Sequence, residues 1–177
     1  MRYVALLRGI NVGGQALVKM AALRACFEDL GFDAVSTYIA SGNVLFTSDR
    51  ESAELPPMIE AALEQRFELP LKVVVLDHTA YARIVKAIPE SWIGDDTRRA
   101  NVAFVRPGTD ATQVVGDLDP DPAIEEVKAV DGAILWATRR DSLNRSVIRK
   151  LIGGAAYQEL TIRNLNTTLR LHEILGR

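Results

Sequence analysis

The sequence predicts an α+β fold of two tandem ferredoxin-like lobes, each a βαββαβ unit (an α–β plait), with a bridging helix between them and a C-terminal helix. Two observations predict this fold. Short apolar runs of strand character alternate with segments of helical periodicity, and the order strand, helix, strand, strand, helix, strand occurs twice. A length of 177 residues suits one large domain or two compact lobes.

The first lobe begins with a strand, a loop and a helix. The apolar run Tyr3–Leu7 predicts a buried strand, and a glycine-rich loop follows it from Gly9 to Gln15. Apolar residues then recur at helical spacing from Val18 to Leu30, which predicts a helix with one buried face. Gly31 directly follows, where a left-handed cap favours a residue without a Cβ.

The second half of this lobe predicts a hairpin, a helix and a strand. Ala34–Ile39 and Asn43–Thr47 are expected to pair across a tight corner at Ser41-Gly42. A helix can open at Pro56-Pro57 because first-turn amides need no partner within the helix, and it continues to Phe67. The nearly continuous apolar run Leu71–Leu76 predicts a central, covered strand.

A bridging helix is predicted next, with Asp77 as its N-cap and Pro89 at its end. The polar segment Glu90–Arg99 is the candidate linker. The predicted domain organisation is therefore a first lobe over residues 1–77, the bridging helix and linker over 78–99, and a second lobe with the C-terminal helix over 100–177.

The second lobe repeats this order with weaker signals. Asn101–Val105 predicts a strand and Ala111–Gly116 a short helix. Two further strands, Glu126–Val130 and Ala133–Thr138, predict a hairpin across Asp131-Gly132, a residue pair typical of a type I′ turn.

The end of this lobe predicts a helix, a strand and a last helix. The first helix spans Asn144–Ile152, and four of its side chains are expected to face inward: Val147, Ile148, Leu151 and Ile152. Glu159–Ile162 predicts the fourth strand. The last helix is expected over Thr168–Leu175, with Asn166 or Thr167 as its N-cap.

Composition predicts a soluble protein of the cytoplasm. Apolar residues make up 48% of the chain and charged residues 25%, as in ordinary globular proteins. The single cysteine, Cys26, excludes a disulfide within the chain and fits a reducing compartment. The apolar run near the N-terminus is too short for a signal peptide or a membrane span.

The protein has no overall positive electrostatic field that would attract nucleic acid, because its net charge is −2 and the sequence pI is about 5.7. The segment Val130–Arg177 nevertheless carries eight basic and four acidic residues. This excess of four positive charges indicates either a local anion site or a basic end that packs against an acidic front end.

The glycine-rich segment Arg8–Gly14 is the most suggestive local motif. Between a strand and a helix, its backbone amides and the helix dipole can hold an anion, and Arg8 and Lys19 bracket it with positive charge. It matches neither the dinucleotide-binding nor the P-loop pattern. The alternative is a turn in which Gly13 or Gly14 supplies a positive φ.

Two further segments combine polar residues with turns. Ser41 and Asn43 flank the hairpin corner, where such side chains usually bond their own backbone. At Thr161–Thr167 a strand end, a helix start and Arg163 coincide. The Arg163 guanidinium is expected to face a fixed acceptor, either an internal carboxylate or a bound phosphate or carboxylate.

No metal or cofactor is predicted. Cys26 shares the apolar face of the first helix and is expected to be a buried, inert thiol. His78 and His172 show no metal-ligand spacing, and no serine has an evident histidine partner.

Four segments together resemble the uncharacterised bacterial family called domain of unknown function 1697: Leu6–Gly14 (LLRGINVGG), Thr37–Phe46 (TYIASGNVLF), Asn101–Val105 (NVAFV) and Thr161–Thr167 (TIRNLNT). The resemblance extends over essentially the whole chain. It differs at Leu165, where the family is expected to place tryptophan. The resemblance implies two ferredoxin-like plaits, and it implies no activity and no catalytic residue.

The sequence leaves three functional hypotheses. The first is the binding of an anionic small molecule that bears phosphate or carboxylate, with or without an enzymatic step based on positioning and charge stabilisation. The residues proposed for it carry amide, hydroxyl or cationic donors or are glycines: Arg8, Asn11, Gly13, Gly14, Lys19, Ser41, Asn43, Arg163 and Asn164. The second is a nucleic-acid-binding plait, which the low aromatic content of 6% disfavours. The third is a structural or protein-interaction role, and no oligomeric state is predicted.

Overall fold

The chain divides into two compact units. The structure is a computed structural model, and it describes residues 1–11 and 17–177. Unit 1 comprises Met1–Tyr81 and Leu171–Arg177, and unit 2 comprises Ala82–Arg170. The predicted lobes over residues 1–77 and 100–177 and the connection over 78–99 stay a prediction.

Unit 1 contains a four-stranded antiparallel sheet in the order β2-β3-β1-β4. Its elements follow the chain as β1 (Arg2–Leu7), α1 (Met20–Asp29), β2 (Asp33–Tyr38), β3 (Asn43–Thr47), α2 (Leu55–Phe67) and β4 (Val73–Asp77). The central strand β1 pairs with β3 on one side and with β4 on the other. The mixed α+β character expected from the sequence is therefore present.

The core of unit 1 lies between one face of this sheet and the helices α1 and α2. Tyr3, Ala5 and Leu7 alternate along β1 and contribute to this core, and Phe27 and Ile59 reach it from the two helices. The intervening residues of β1 are also buried. A strand that is buried on both faces explains the uninterrupted apolar run at the start of the sequence.

Unit 2 contains a second four-stranded antiparallel sheet, in the order β6-β7-β5-β8. Its elements are most of α3 (His78–Lys86), β5 (Arg98–Val105), α4 (Ala111–Leu118), β6 (Glu125–Val130), β7 (Ala133–Arg139), α5 (Ile148–Gly153), β8 (Leu160–Asn164) and the first half of α6 (Leu165–Leu175). Its core joins strand residues such as Ala103 and Trp136 to Val114 of α4 and Leu151 of α5.

Three local predictions in unit 1 are confirmed. Helix α2 has proline at its first positions. Gly31 has a φ of 80° and its N–H donates to Glu28 O at 2.9 Å, as a left-handed cap requires. The Asp77 carboxylate accepts from Ala80 N at 2.7 Å and so caps α3.

The helix predicted over Asn144–Ile152 is present only from Ile148, so its predicted start is wrong, although Val147 and Leu151 are buried as expected. A 3₁₀ helix covers Arg140–Arg145, α5 begins only at Ile148, and the side chain of Ile152 is 52% exposed instead of facing inward. The break falls at Ser146, whose hydroxyl donates to Glu125 Oε2 at 2.6 Å. A serine bonded in this way competes with a regular helix.

Two other details of unit 2 differ from expectation. The type I′ turn at Asp131-Gly132 is wrong because only Gly132 has a positive φ, and that turn requires one at both residues. Strand β5 begins at Arg98, so it includes the last two residues of the predicted linker.

Among the helices of the described residues, none is long and apolar enough to cross a membrane. Over the same residues, no three His, Cys, Asp or Glu side chains cluster in a way that could hold a metal ion.

Cys26 is expected to be inert toward thiol reagents in the native protein. Its side chain is 3% exposed, in the wall of a cavity of about 410 Å³ that α1 and α2 also line, and burial raises the pKa of its thiol. Labelling then requires a local opening, so the native rate should be at least about a hundredfold below that of the denatured protein. Absorbance after addition of an aromatic disulfide measures both rates. Comparable rates would contradict the prediction.

Candidate functional site

The glycine-rich motif of unit 1 begins where β1 ends and is joined by its backbone to two neighbouring segments. Leu7 N donates to Gly42 O at 2.8 Å, and Arg8 N donates to Lys72 O at 2.9 Å. The start of the motif therefore lies against the β2–β3 corner on one side and the residue just before β4 on the other.

The Asn11 side chain closes the loop. Its Nδ2 donates to Val18 O at 3.0 Å and to Ala40 O at 2.8 Å, and its Oδ1 accepts from Val18 N at 2.9 Å. Both N–H bonds of the amide are used in this way. Asn11 therefore joins the two ends of the loop to the hairpin corner and has no amide hydrogen left for a ligand.

Asn43 has the corresponding role inside the corner. It is fully buried, and its Nδ2 donates to Tyr38 O at 2.9 Å and to Ser41 Oγ at 3.1 Å. Asn11 and Asn43 thus hold the carbonyls on either side of Ile39, a β-branched residue with a φ of 49°. Such a residue rarely adopts this conformation unless its surroundings enforce it.

The two basic residues of this motif differ in environment. Arg8 is half-buried and has interactions within the protein, whereas Lys19 is exposed immediately before α1. Gly13 and Gly14, with the predicted positive φ at one of them, lie outside the described residues.

Arg163 and Asn164 belong to unit 2. The side chain of Arg163 is buried, and its Nη1 donates to the backbone carbonyl Ile162 O at 2.8 Å. A carboxylate or a bound anion as its acceptor stays a prediction. Asn164 Oδ1 accepts from Thr167 N at 2.7 Å, so Asn164 is the N-cap of α6. The expected caps, Asn166 and Thr167, are wrong because both lie inside the helix.

Four arginines at one end of two neighbouring strands of unit 2 form a cluster, which we call the arginine corner: Arg98, Arg99, Arg139 and Arg140. In the β5–β7 register Arg98 pairs with Arg139 and Arg99 with Thr138. Arg140 follows β7 directly, and its N–H donates to Thr97 O at 2.9 Å. Two Arg-Arg dipeptides are therefore adjacent at one end of the sheet.

The partners of these arginines are unevenly distributed. Arg98 binds Asp95 at 3.2 Å and also Glu126. Arg139 binds Asp141 at 2.7 Å. Across residues 1–11 and 17–177, the Arg99 side chain has no hydrogen-bond or ion-pair partner.

Two carboxylates that bind Arg98, those of Asp95 and Glu126, have pKa values below the ordinary ones. The hydrogen bond from Arg98, with a second one from Trp92, lowers the pKa of Glu126. Hydrogen bonds from Thr97 lower the pKa of Asp95, with a smaller effect of Arg98. Both carboxylates therefore stay ionised and help to orient Arg98.

A cavity of about 260 Å³ opens among these residues. Arg98, Arg99 and Arg140 line it together with Asn164–Asn166 at the amino end of α6. Trp92, Gly94, Asp95, Asp96 and Ala100 complete its wall. Guanidinium groups and the positive end of a helix dipole thus share one small volume, an arrangement that suits an anion.

Comparisons with known proteins give a family and a structural relative. The family model described as a protein of unknown function (DUF1697) matches residues 1–136. The chain belongs to this family. It is also similar to the solved structure of the conserved bacterial protein SP0830 from Streptococcus pneumoniae, with 29% sequence identity, a TM-score of 0.87 and 98% of each chain covered. No match is found among curated proteins.

Neither description names an activity, so membership of DUF1697 establishes no function. The family match includes three of the four motif segments and also Arg98 and Arg99, and it ends before Arg139.

Sequence reasoning missed the arginine corner in this DUF1697 protein. Arg98 and Arg99 were assigned to a linker, and Arg139 and Arg140 entered only as part of a basic C-terminal segment. The available signal was an Arg-Arg dipeptide at one end of each of two predicted strands. Its meaning depends on the strand register, which places Arg98 opposite Arg139.

Proposed function

We propose that the protein binds an anionic small molecule bearing phosphate or carboxylate, and that the arginine corner of unit 2 holds its charged group. The observation that carries the proposal is the cavity shared by Arg99, Arg140 and the amino end of α6. Arg99 has no partner within the described residues, and Arg140 uses only its Nε, which donates to Asp96 O at 2.8 Å. The N–H groups of Arg99 and of the terminal nitrogens of Arg140 therefore have no acceptor among the described residues, and an anion in the cavity could accept from them.

The residues that the sequence predicts as anion contacts have different roles in this proposal. Asn164 forms part of the cavity wall, and Arg163 supports the strand beside it. Arg8 and Lys19 stay predicted anion contacts in unit 1. Asn11 and Asn43 are proposed to shape the unit 1 loop instead of donating to the ligand, because their amide hydrogens are used internally. Ser41 is proposed to take part in the same arrangement, since its Oγ accepts from Asn43 Nδ2.

The nucleic-acid alternative is less well supported. A plait that reads RNA stacks bases on exposed aromatic side chains of its sheet. Here Tyr3, Phe46, Phe104 and Trp136 are all buried, and Tyr3 stacks on Phe46 at a centroid distance of 5.6 Å.

We also propose that each unit is a ferredoxin-like plait. The strand orders β2-β3-β1-β4 and β6-β7-β5-β8, antiparallel throughout, support this arrangement. A cytoplasmic location is proposed because the single cysteine is buried and forms no disulfide, as is usual in a reducing compartment.

Inorganic phosphate is expected to stabilise the wild type and to act much less on the double variant Arg99→Gln/Arg140→Gln. At a hundred times its dissociation constant, phosphate should add about 2.7 kcal/mol to the free energy of unfolding. Loss of two guanidinium groups should weaken phosphate binding by at least about tenfold. Titration calorimetry and thermal unfolding at constant ionic strength measure both quantities.

The matched control is Arg83→Gln, because Arg83 is also an exposed arginine of unit 2 and does not line this cavity. It removes one positive charge and should leave phosphate binding unchanged. Equal phosphate effects in the wild type and the double variant, or none in the wild type, would reject the proposed site.

A further inference from the structure

The arginine corner borders two cavities. Besides the first, of about 260 Å³, a second of about 550 Å³ is lined by Thr97, Arg98, Arg139, Arg140 and Asp141. Arg98 and Arg140 line both. A shared pair of arginines therefore stands between two spaces that could each accept a charged group.

Each cavity also has an arginine of its own. Arg99 lines only the first cavity and Arg139 only the second. Because side chains alternate along a strand, Arg99 projects from the opposite face of the sheet to Arg98 and its cross-strand partner Arg139. The two cavities thus receive separate cationic groups from opposite faces of the same sheet end.

Arg140 has enough free N–H groups to donate hydrogen bonds into both cavities. Its Nε is held by Asp96 O at 2.8 Å, which restrains the plane of the guanidinium. The N–H bonds of its two terminal nitrogens have no acceptor within the described part of the chain. A guanidinium with one edge anchored and both terminal nitrogens available can bind an oxygen on each side.

The acids near the corner leave room for a second anionic group. Arg98 is already bound by Asp95 and Glu126, which compensate its charge, so Arg99, Arg139 and Arg140 are the arginines proposed to bind the ligand. Arg139 is paired with Asp141, but both side chains are more than half exposed. An exposed ion pair of this kind contributes little to stability, so a ligand anion can replace Asp141 as the partner of Arg139.

We infer that the ligand carries two anionic groups, phosphate or carboxylate, joined by a short spacer, with one group in each cavity and Arg140 between them. This inference rests on the proposed function. It adds that the second cavity binds the same molecule, with Arg139 as the residue that distinguishes a two-group ligand from a one-group ligand.

A series of bisphosphonates tests this inference against methylphosphonate. Methylene-, propane- and hexane-bisphosphonate present two groups at increasing separation, and methylphosphonate presents one. Because the second group binds from the same molecule, at least one bisphosphonate should bind the wild type at least about tenfold more tightly than methylphosphonate. Titration calorimetry should give one bisphosphonate per chain.

The variants separate the two cavities. Arg139→Gln should remove the advantage of the bisphosphonate and leave methylphosphonate binding unchanged, whereas Arg99→Gln should weaken both. Arg83→Gln, with the same loss of charge outside both cavities, should change neither.

Two outcomes would overturn the inference in distinguishable ways. If methylphosphonate binds but no bisphosphonate binds more tightly, or if Arg139→Gln has no more effect than Arg83→Gln, the two-group ligand is wrong and the proposed function stands. If neither compound binds the wild type, both are wrong.

Discussion

Replacement of Gly42 by alanine is expected to destabilise unit 1 by about 3 kcal/mol. Gly42 has a φ of 78°, a conformation that costs an L-residue roughly 1–2 kcal/mol. An added Cβ would also lie 2.8 Å from Ile10 Cδ1 and 2.9 Å from Leu7 Cβ. Both neighbours are fully or almost fully buried, so they have little space into which to move.

The matched control for this substitution is Gly31→Ala. Gly31 has a φ of 80°, and an added Cβ there would meet nothing within 4 Å. It should therefore cost only the backbone strain, roughly 1–2 kcal/mol. Urea unfolding followed by circular dichroism compares the two variants. An equal loss of stability in both would show that Ile10 and Leu7 yield to the new methyl group, contrary to the prediction.

The sequence predicted the elements of unit 1 well because their signals are local. The hairpin corner required a glycine at position 42, and the helix ends at Gly31 and Asp77 follow from capping chemistry. Strand β3 spans Asn43–Thr47 as predicted. Each of these features depends on residues within a few positions of one another.

Helix α5 could not be located in the same way. Its start depends on a hydrogen bond between Ser146 and Glu125, residues 21 positions apart in the chain. The apolar spacing around Val147–Ile152 indicates a helix. It does not show that the Ser146 hydroxyl donates a hydrogen bond to the buried carboxylate of Glu125. Ile152, predicted to face inward, is therefore exposed at the end of a much shorter helix.

In the candidate site, too, the residue types could be read from the sequence, but the contacts between distant residues could not. The sequence predicts Asn11 and Asn43 as ligand-binding residues, but the carbonyls that their amides bind could be known only from the fold. Asparagine was interpreted as a ligand donor, and the structure gives these two a part in shaping the loop. The arginine corner was missed because the pairing of Arg98 with Arg139 is a property of strand register.

Replacement of Glu125 by alanine is expected to destabilise unit 2 by about 3 kcal/mol. The carboxylate is 4% exposed and accepts three hydrogen bonds: from Val147 N at 3.0 Å, from Thr138 Oγ1 at 3.1 Å and from Ser146 Oγ at 2.6 Å. The substitution leaves a buried N–H and two buried hydroxyls without this acceptor, each worth about 1–3 kcal/mol. The two hydroxyls lie 3.2 Å apart and can recover part of the loss by bonding each other.

Lys128→Ala is the control on the same strand, because Lys128 is exposed and its loss should change stability by no more than about 0.5 kcal/mol. Urea unfolding followed by tryptophan fluorescence measures both variants, since the two tryptophans of the chain, Trp92 and Trp136, are buried in unit 2. The Glu125→Ala midpoint should fall well below that of Lys128→Ala. If the two midpoints coincide, the carboxylate does not hold the start of α5 to the sheet, and the break at Ser146 needs another cause.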